Sequence, residues 1–597
     1  MQSDYPPIED HGLIGDLQTS ALVAQDGTID WFCAPRFDSP SVFASLLDRN
    51  AGGYCRIRPE RDDFVARQLY LPGTAILITR FMSPEGVGEL MDFMPVTGPE
   101  PTDRHRIVRV LRTVRGHMRY TFECKPAFDY ARARHELVSH PQGVQFRSGP
   151  HRLNLCPVRS EHVGDAQITD HAVRYTIDAA EGDDGGLILE TGAEYPPCAV
   201  PPGEIWQLYD QTRSFWREWV GRSQYRGRWR ENVERSAITL KLMTYTPTGA
   251  LIAAPTAGLP EQVGGERNWD YRFTWLRDAS FSVRSLLGLG YHEEAQQFMY
   301  WLRARIANSI PKIMYRIDGN PDLAEESLPH LEGYRGSSPV RIGNDANGQL
   351  QLDIVGEVMD AFLRASDTGL RPAWEGWQKT VQTIDWLCDN WSRPDDGIWE
   401  SRSGREHNTY SRVMSWVAFD RAIRLAGRLG LPADVHRWSA ARDAVYLDVM
   451  NNGWDEKEQT FVQRYGSNVV DAALLYMPIV GFVSPTDPKW LSTLDAIDRH
   501  LVSDSLVYRY DPLQSPDGLA GNEGTFSMCT FWYVDALARS GRLDDARLAF
   551  EKMLTYSNHL GLYSEEIGPT GEQLGNFPQA FSHLGLINAA MKLDSYL

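Results

Sequence analysis

The chain has 597 residues, 23% of them charged, and a net charge of −19 at pH 7. This length exceeds what a single hydrophobic core supports, so at least two domains are expected, and the acidic balance disfavours nucleic acid while suiting a soluble protein with a neutral ligand. No stretch reaches the roughly 18 apolar residues of a membrane span, and the opening MQSDYPPIEDHG lacks a basic region followed by an apolar run, so the expectation is a cytoplasmic protein with no membrane partner.

Over residues 1–205, short alternating runs such as QLYLPGTAILITRF and HRIVRVLRTVRG are broken by Gly, Pro and Asp-Gly turns, the pattern of an antiparallel β-sandwich. Of the 18 tryptophans only Trp31 lies there. The seven cysteines (Cys33, Cys55, Cys124, Cys156, Cys198, Cys388 and Cys529) are scattered, with no CxxC or Cys/His cluster, and are expected to be core thiols with neither a disulfide framework nor a zinc site. Residues 206–228, around IWQLYDQTRSFWREWV, have apolar residues at helical spacing and read as a linker helix.

From 229 to 597 the pattern is helical. SVRSLLGLGYHEEAQQFMYWL, EVMDAFLRASDTGLRPAWEGWQKTVQTIDWL, WVAFDRAIRLAGRLGLPADVHRWSAARDAVYL and YVDALARSGRLDDARLAFEKML each read helix, Gly-containing turn, helix. Further helices are expected over 229–245, near 468–476 and 487–502, and after Pro578, about twelve in all. Six hairpins suit an (α/α)6 barrel, although they can also stack in a line.

The links between hairpins carry the unusual residues: GGERNWDYRFTWLRD, RIGNDANGQLQLD, DDGIWESRSGREHNTY, GLAGNEGTFSMC and GLYSEEIGPTGEQLGNFPQ. In an antiparallel array these links emerge at one end, so Trp269, Arg277, Asp278, Glu400 and Glu565 are expected to converge on one cavity. Two acids among aromatic rings suit cleavage of a glycosidic bond, one protonating the leaving oxygen and the other acting at the sugar carbon. The acid must stay protonated near neutral pH, which an aromatic, partly dry wall such as that beside Trp399 favours, and the base, near polar residues, is expected to stay ionised. Trp269, Trp275 and Trp399 are candidate platforms for a pyranose face, and Asp270, Arg277, Asp278 and Arg402 are candidates for binding hydroxyls.

Other readings stay open. Glu566 adjoins Glu565 and competes for its role, and Glu523 in GNEGTF is a rival acid on the same rim. Arg277 with Asp278 also reads as an ion pair at a helix start, and Trp269, Trp275 and Trp399 also read as core. His407 and His583 are taken as structural. DGNPD at 318–322 resembles a calcium loop but lacks the remaining ligands, and is expected to be a turn.

On these residues the chain resembles glycoside hydrolase family 15, the inverting glucoamylases, glucodextranases and bacterial trehalases. EDHGLIGDLQTSALVAQDGTIDWFCAPRFDSPSVFASLLD resembles the amino-terminal sandwich of bacterial members; NWDYRFTWLRDASF, GIWESRSGREHNTYSRVMSWVAFDRAI and YSEEIGPTGEQLGNFPQAFSHLGLINAA resemble catalytic-domain motifs. The resemblance implies that Glu400 is the general acid, Glu565 the general base that activates water, and Arg277 with Asp278 the pair that holds the non-reducing glucose. Asn408 departs from the family pattern, which has an apolar aromatic there, and this is expected to alter the leaving-group side. The expected substrate is a small α-linked glucoside, trehalose ahead of α-1,4- or α-1,6-glucans, with no cofactor and no metal. A phosphorylase or an inactive sugar-binding protein is a weaker alternative, and a homo-oligomer is left open.

Overall fold

In the computed structural model, which describes residues 5–158, 164–169, 171–306 and 311–597, the N-terminal domain is organised by one 20-residue strand, Arg106–Lys125. Its first half pairs with Gly86–Phe93 and Asp184–Thr191, its second half with Tyr54–Pro59 and Val173–Ala180, all antiparallel. One strand thus belongs to both sheets of the sandwich. Along its second half the inward side chains Met118, Tyr120, Phe122 and Cys124 are buried at period two. Of the seven cysteines, all free, Cys33, Cys55, Cys124, Cys156 and Cys529 are core thiols as expected. Cys198 is exposed and Cys388 half-buried.

The connecting helix α1 is Pro202–Gly221, shifted from the expected 206–228. Proline at its first turn loses no hydrogen bond, and residues 222–229 leave the helix. There follow α2 (Arg230–Leu242), α3 (Ala279–Leu289), α4 (His292–Ile306), α5 (Asp353–Ser366), α6 (Trp374–Asn390), α7 (Thr409–Leu429), α8 (Val435–Asn452), α9 (Pro488–His500), α10 (Ser527–Arg539), α11 (Leu543–Leu554) and α12 (Ala580–Asp594). Helices α3 and α7 end on Gly290 and Gly430, both left-handed, with φ of 88° and 66°. Those glycines make the turns read in the sequence. The helix expected near 468–476 is only a 3-10 turn, Ala472–Tyr476, because Pro478 supplies no N–H to extend it.

The ring closes. Helices α3, α5 and α7, the turn Ala472–Tyr476, α10 and α12 each touch the next, and α12 returns to α3. Helices α2, α4, α8 and α11 pack outside them, giving an (α/α)6 barrel in which a short turn takes one inner position. The sandwich is fastened to the barrel by polar bonds as well as apolar packing. Trp31 donates its indole N–H to the Pro255 carbonyl at 2.7 Å, and Arg272 donates to the Ser39 carbonyl at 2.8 Å. No helix among the described residues is long and apolar enough to cross a membrane.

The tightest inner contact sets a test. A methyl group on Gly356 of α5 would meet the Met414 carbonyl oxygen of α7 at 2.2 Å, and backbone cannot move aside cheaply. Gly356→Ala is expected to lower stability by about 1–3 kcal/mol, seen as an earlier unfolding midpoint; an unchanged midpoint would mean that α5 and α7 are free to separate.

Candidate active site

The stretch 268–278 positions the site. Asn268–Asp270 pairs with Ala257–Pro260, and Thr274–Trp275 pairs with Met314–Tyr315. Between these short strands the Tyr271 and Trp275 rings meet edge to face, centroids 5.2 Å apart. Each turns its polar tip to a different acid. The Tyr271 hydroxyl donates to Glu565 Oε1 at 2.7 Å, and Trp275 Nε1 donates to Glu400 Oε1 at 2.7 Å. Both carboxylates, with Tyr271, Arg277, Trp399 and Arg509, line one cavity.

Glu400 is held in an uncommon backbone state, with φ +59°, a conformation costing on the order of 1–3 kcal/mol that persists only where its surroundings impose it. The Gln349 amide donates to the carbonyls of Glu400 and Ser401, both at 3.1 Å. Arg277 donates to Ile398 O at 3.1 Å, to Glu400 Oε1 at 3.4 Å and to Asp278 at 3.1 Å. Burial raises the proton affinity of Glu400, against the pull of the Arg277 charge.

Glu565 and Glu566 diverge as adjacent residues on extended chain must. Glu565 faces the cavity, whereas Glu566 sits in a small sheet and accepts the Gly524 N–H at 2.7 Å. Glu565 Oε2 is buried without a hydrogen-bond partner, and its pKa is pushed up to about 8 by burial and by the nearby charge of Glu261, against Arg509. This differs from the expectation of polar surroundings that keep Glu565 ionised: the groups nearest to it include another acid.

Oxygens of Glu261, Glu523 and Glu566 lie within 4.8 Å of one another, a spacing that a metal ion could bridge. The structure fills that place with a guanidinium. Arg509 Nη2 bonds Glu261 at 3.2 Å, lies 3.6 Å from Glu566 and pairs with Glu523, so the cluster already has its cation. Arg267 adds a second, bound through both terminal nitrogens to Asp517 at 2.7 and 3.0 Å. Glu523, the rival acid, is therefore a partner of Arg509.

The remaining candidates separate. Trp269, Trp399 and Arg402 line the cavity. Trp275 is buried behind Glu400, and Asp278 is buried as the partner of Arg277. Asp270 is fully buried and bonds Arg272 and the Gly343 N–H at 3.1 Å. It faces away from the cavity because its strand neighbours Trp269 and Tyr271 take the other face, so its candidacy as a hydroxyl ligand is corrected. Asn408 lies behind the Glu400 loop, its amide bonding Asp395 O at 3.0 Å beside Gly397, and so braces that loop. His583 bonds Ser236 at 2.9 Å and accepts from Tyr563 N, and His407 bonds Arg412 at 2.8 Å; both are structural. Residues 318–322 form a turn closed by Asn320 N to Asp318 at 2.9 Å. Tyr271, Glu261, Arg267 and Arg509 were not singled out from the sequence. Tyr271 and Arg267 adjoin Trp269 in an already notable loop and Glu261 precedes that loop, while Arg509 lies in VYRYDPL, which carries no pattern of its own.

Two carboxylates in one aromatic cavity, at the loop end of a helical barrel with an N-terminal sandwich, define a hydrolase of sugars. A family model, "Glycosyl hydrolases family 15", matches residues 227–591, and "Trehalase-like, N-terminal" matches residues 1–194. The chain belongs to glycoside hydrolase family 15. It is 39% identical to a trehalase of Thermoplasma volcanium, covering 99% of this chain and 94% of that one, and 40% identical to a trehalase of Thermoplasma acidophilum, covering 96% and 98%. A crystal structure of a bacterial glucoamylase complexed with acarbose superposes with a TM-score of 0.74 at 12% identity, over 99% of this chain and 95% of that one, which bears out the fold.

Proposed function

We propose that this glycoside hydrolase cleaves trehalose into two glucose molecules with inversion, Glu400 acting as general acid and Glu565 as general base. The likeness over nearly the full chain to two trehalases supports the substrate. The observation that carries the mechanism is the division of the two acids by Tyr271 and Trp275. Arg277, oriented by Asp278, holds hydroxyls of the inner glucose. Glu400 gives its proton to the glycosidic oxygen as the bond to the anomeric carbon breaks. A water attacks that carbon from the opposite face and its proton passes to Glu565, so the new bond is β. The leaving glucose departs toward Trp269 and Arg402. Burial, which favours the protonated form of Glu400, suits it to donate.

Incubation with trehalose, maltose, isomaltose and starch, with and without phosphate, is expected to show hydrolysis of trehalose foremost and no dependence of bond cleavage on phosphate as nucleophile. Early proton NMR should show β-glucose formed from the attacked ring. Predominance of a glucan over trehalose would refute the substrate, and glucose phosphate as product would refute hydrolysis.

The charges around Glu565 generate a pH prediction. Glu400 is raised less than Glu565, so the reacting form, with Glu400 protonated and Glu565 ionised, gives way to the doubly ionised form and kcat/KM falls as pH climbs through the Glu565 pKa, raised to about 8 in the free site. Glu261→Gln removes the negative charge that contributes to this rise. The descending limb is expected to move to lower pH and the activity below it to rise; a limb that stays in place would show that Glu565 is not the group titrating there.

A further inference from the structure

The outer end of the cavity is built from charged groups locked to one another. Arg402 and Arg341 hold their guanidiniums over the Trp269 ring, 4.4 and 4.8 Å from its centroid. One carboxylate, Glu325, joins both: Arg402 Nη2 bonds one of its oxygens at 3.0 Å and Arg341 Nε the other at 3.2 Å. The indole is fixed at its far end too, donating to Glu261 at 2.9 Å. The Arg402 backbone is pinned by its N–H to the Asp517 carbonyl at 2.9 Å, with Gly518 packed against it so closely that a Cβ would meet Arg402 C at 3.0 Å. Four loops, carrying Trp269, Glu325 with Arg341, Arg402, and Asp517, therefore meet over the outer end of the cavity.

Two features make this more than a surface ion pair. Both arginines sit where a sugar ring would stack on the indole, so Trp269 offers no open platform for a chain of sugars. Glu325 is largely buried, its side chain 12% exposed against 34% for Arg402, so the pair is shielded on its carboxylate side and orders Arg402 better than a solvent-exposed partner would.

We propose that Arg402, Arg341 and Glu325 form a clamp over Trp269 that limits the leaving group to a single sugar ring, making the enzyme selective for disaccharides over longer α-glucans. This rests on the reading of Glu400 and Glu565 as the reacting pair. Arg402, at the cavity lining, donates to hydroxyls of the leaving ring. Arg341 and Glu325 act through it as positioning residues.

The test compares kcat/KM for trehalose and for maltopentaose in the parent, Arg402→Ala and Glu325→Gln, each checked for an unchanged unfolding midpoint. The parent should favour trehalose, and the ratio of maltopentaose to trehalose should rise roughly tenfold or more in at least one folded variant. Glu325→Gln keeps the volume and only releases the arginines, so it guards against a folding defect in Arg402→Ala. A smaller change in both variants, or a parent that cleaves maltopentaose as readily as trehalose, overturns the clamp while leaving the acid and base assignments intact. A parent that cleaves no α-glucoside overturns the functional reading and the clamp with it.

Discussion

The structure depends on keeping two buried carboxyl groups in one cavity without letting them share a proton. Carboxylates in direct contact titrate as a pair and lose their separate roles. Tyr271 and Trp275 give each acid its own partner: they lie four residues apart in one loop, pack edge to face, and each donates to one acid. The surroundings then differ. Glu400 has a guanidinium, Arg277, within 3.4 Å, whereas Glu565 lies near Glu261 and has one oxygen without any partner.

The rest of the fold serves to keep this arrangement stiff. The closed ring of inner helices fixes the loop ends, and the sandwich braces the 250–278 region through Trp31 and Arg272. Excess acid behind Glu565 is neutralised by Arg509 and Arg267, both buried. Replacing either arginine would leave buried carboxylates uncompensated, which is why the cluster is part of the site's electrostatics although only Glu565 of its neighbours is assigned to the reaction.

Much of this was legible in the sequence, and for physical reasons. The hairpins announce themselves through helical periodicity and glycine turns at Gly290 and Gly430, and Glu400 and Glu565 stand in loops dense with aromatic and glycine residues. Ring closure was not legible, because helix hairpins that stack in a line and hairpins that close have the same periodicity. Asp270 was misread because its neighbours in sequence, Trp269 and Tyr271, face the cavity, and the alternation of extended chain sends the residue between them the other way. The same alternation separates Glu565 from Glu566, which sequence alone left open. Arg509 could not be found, since it comes from a plain segment and matters only through the three-dimensional meeting of distant glutamates.

The central claim is that Glu400 supplies a proton and Glu565 removes one. α-Glucosyl fluoride separates these tasks, because fluoride leaves with little acid assistance but still requires an activated water. The account predicts that Glu400→Gln loses most turnover of trehalose yet keeps much of its activity on the fluoride, while Glu565→Ala loses both. Equal loss of both substrates in Glu400→Gln, or retention of fluoride hydrolysis in Glu565→Ala, would contradict it.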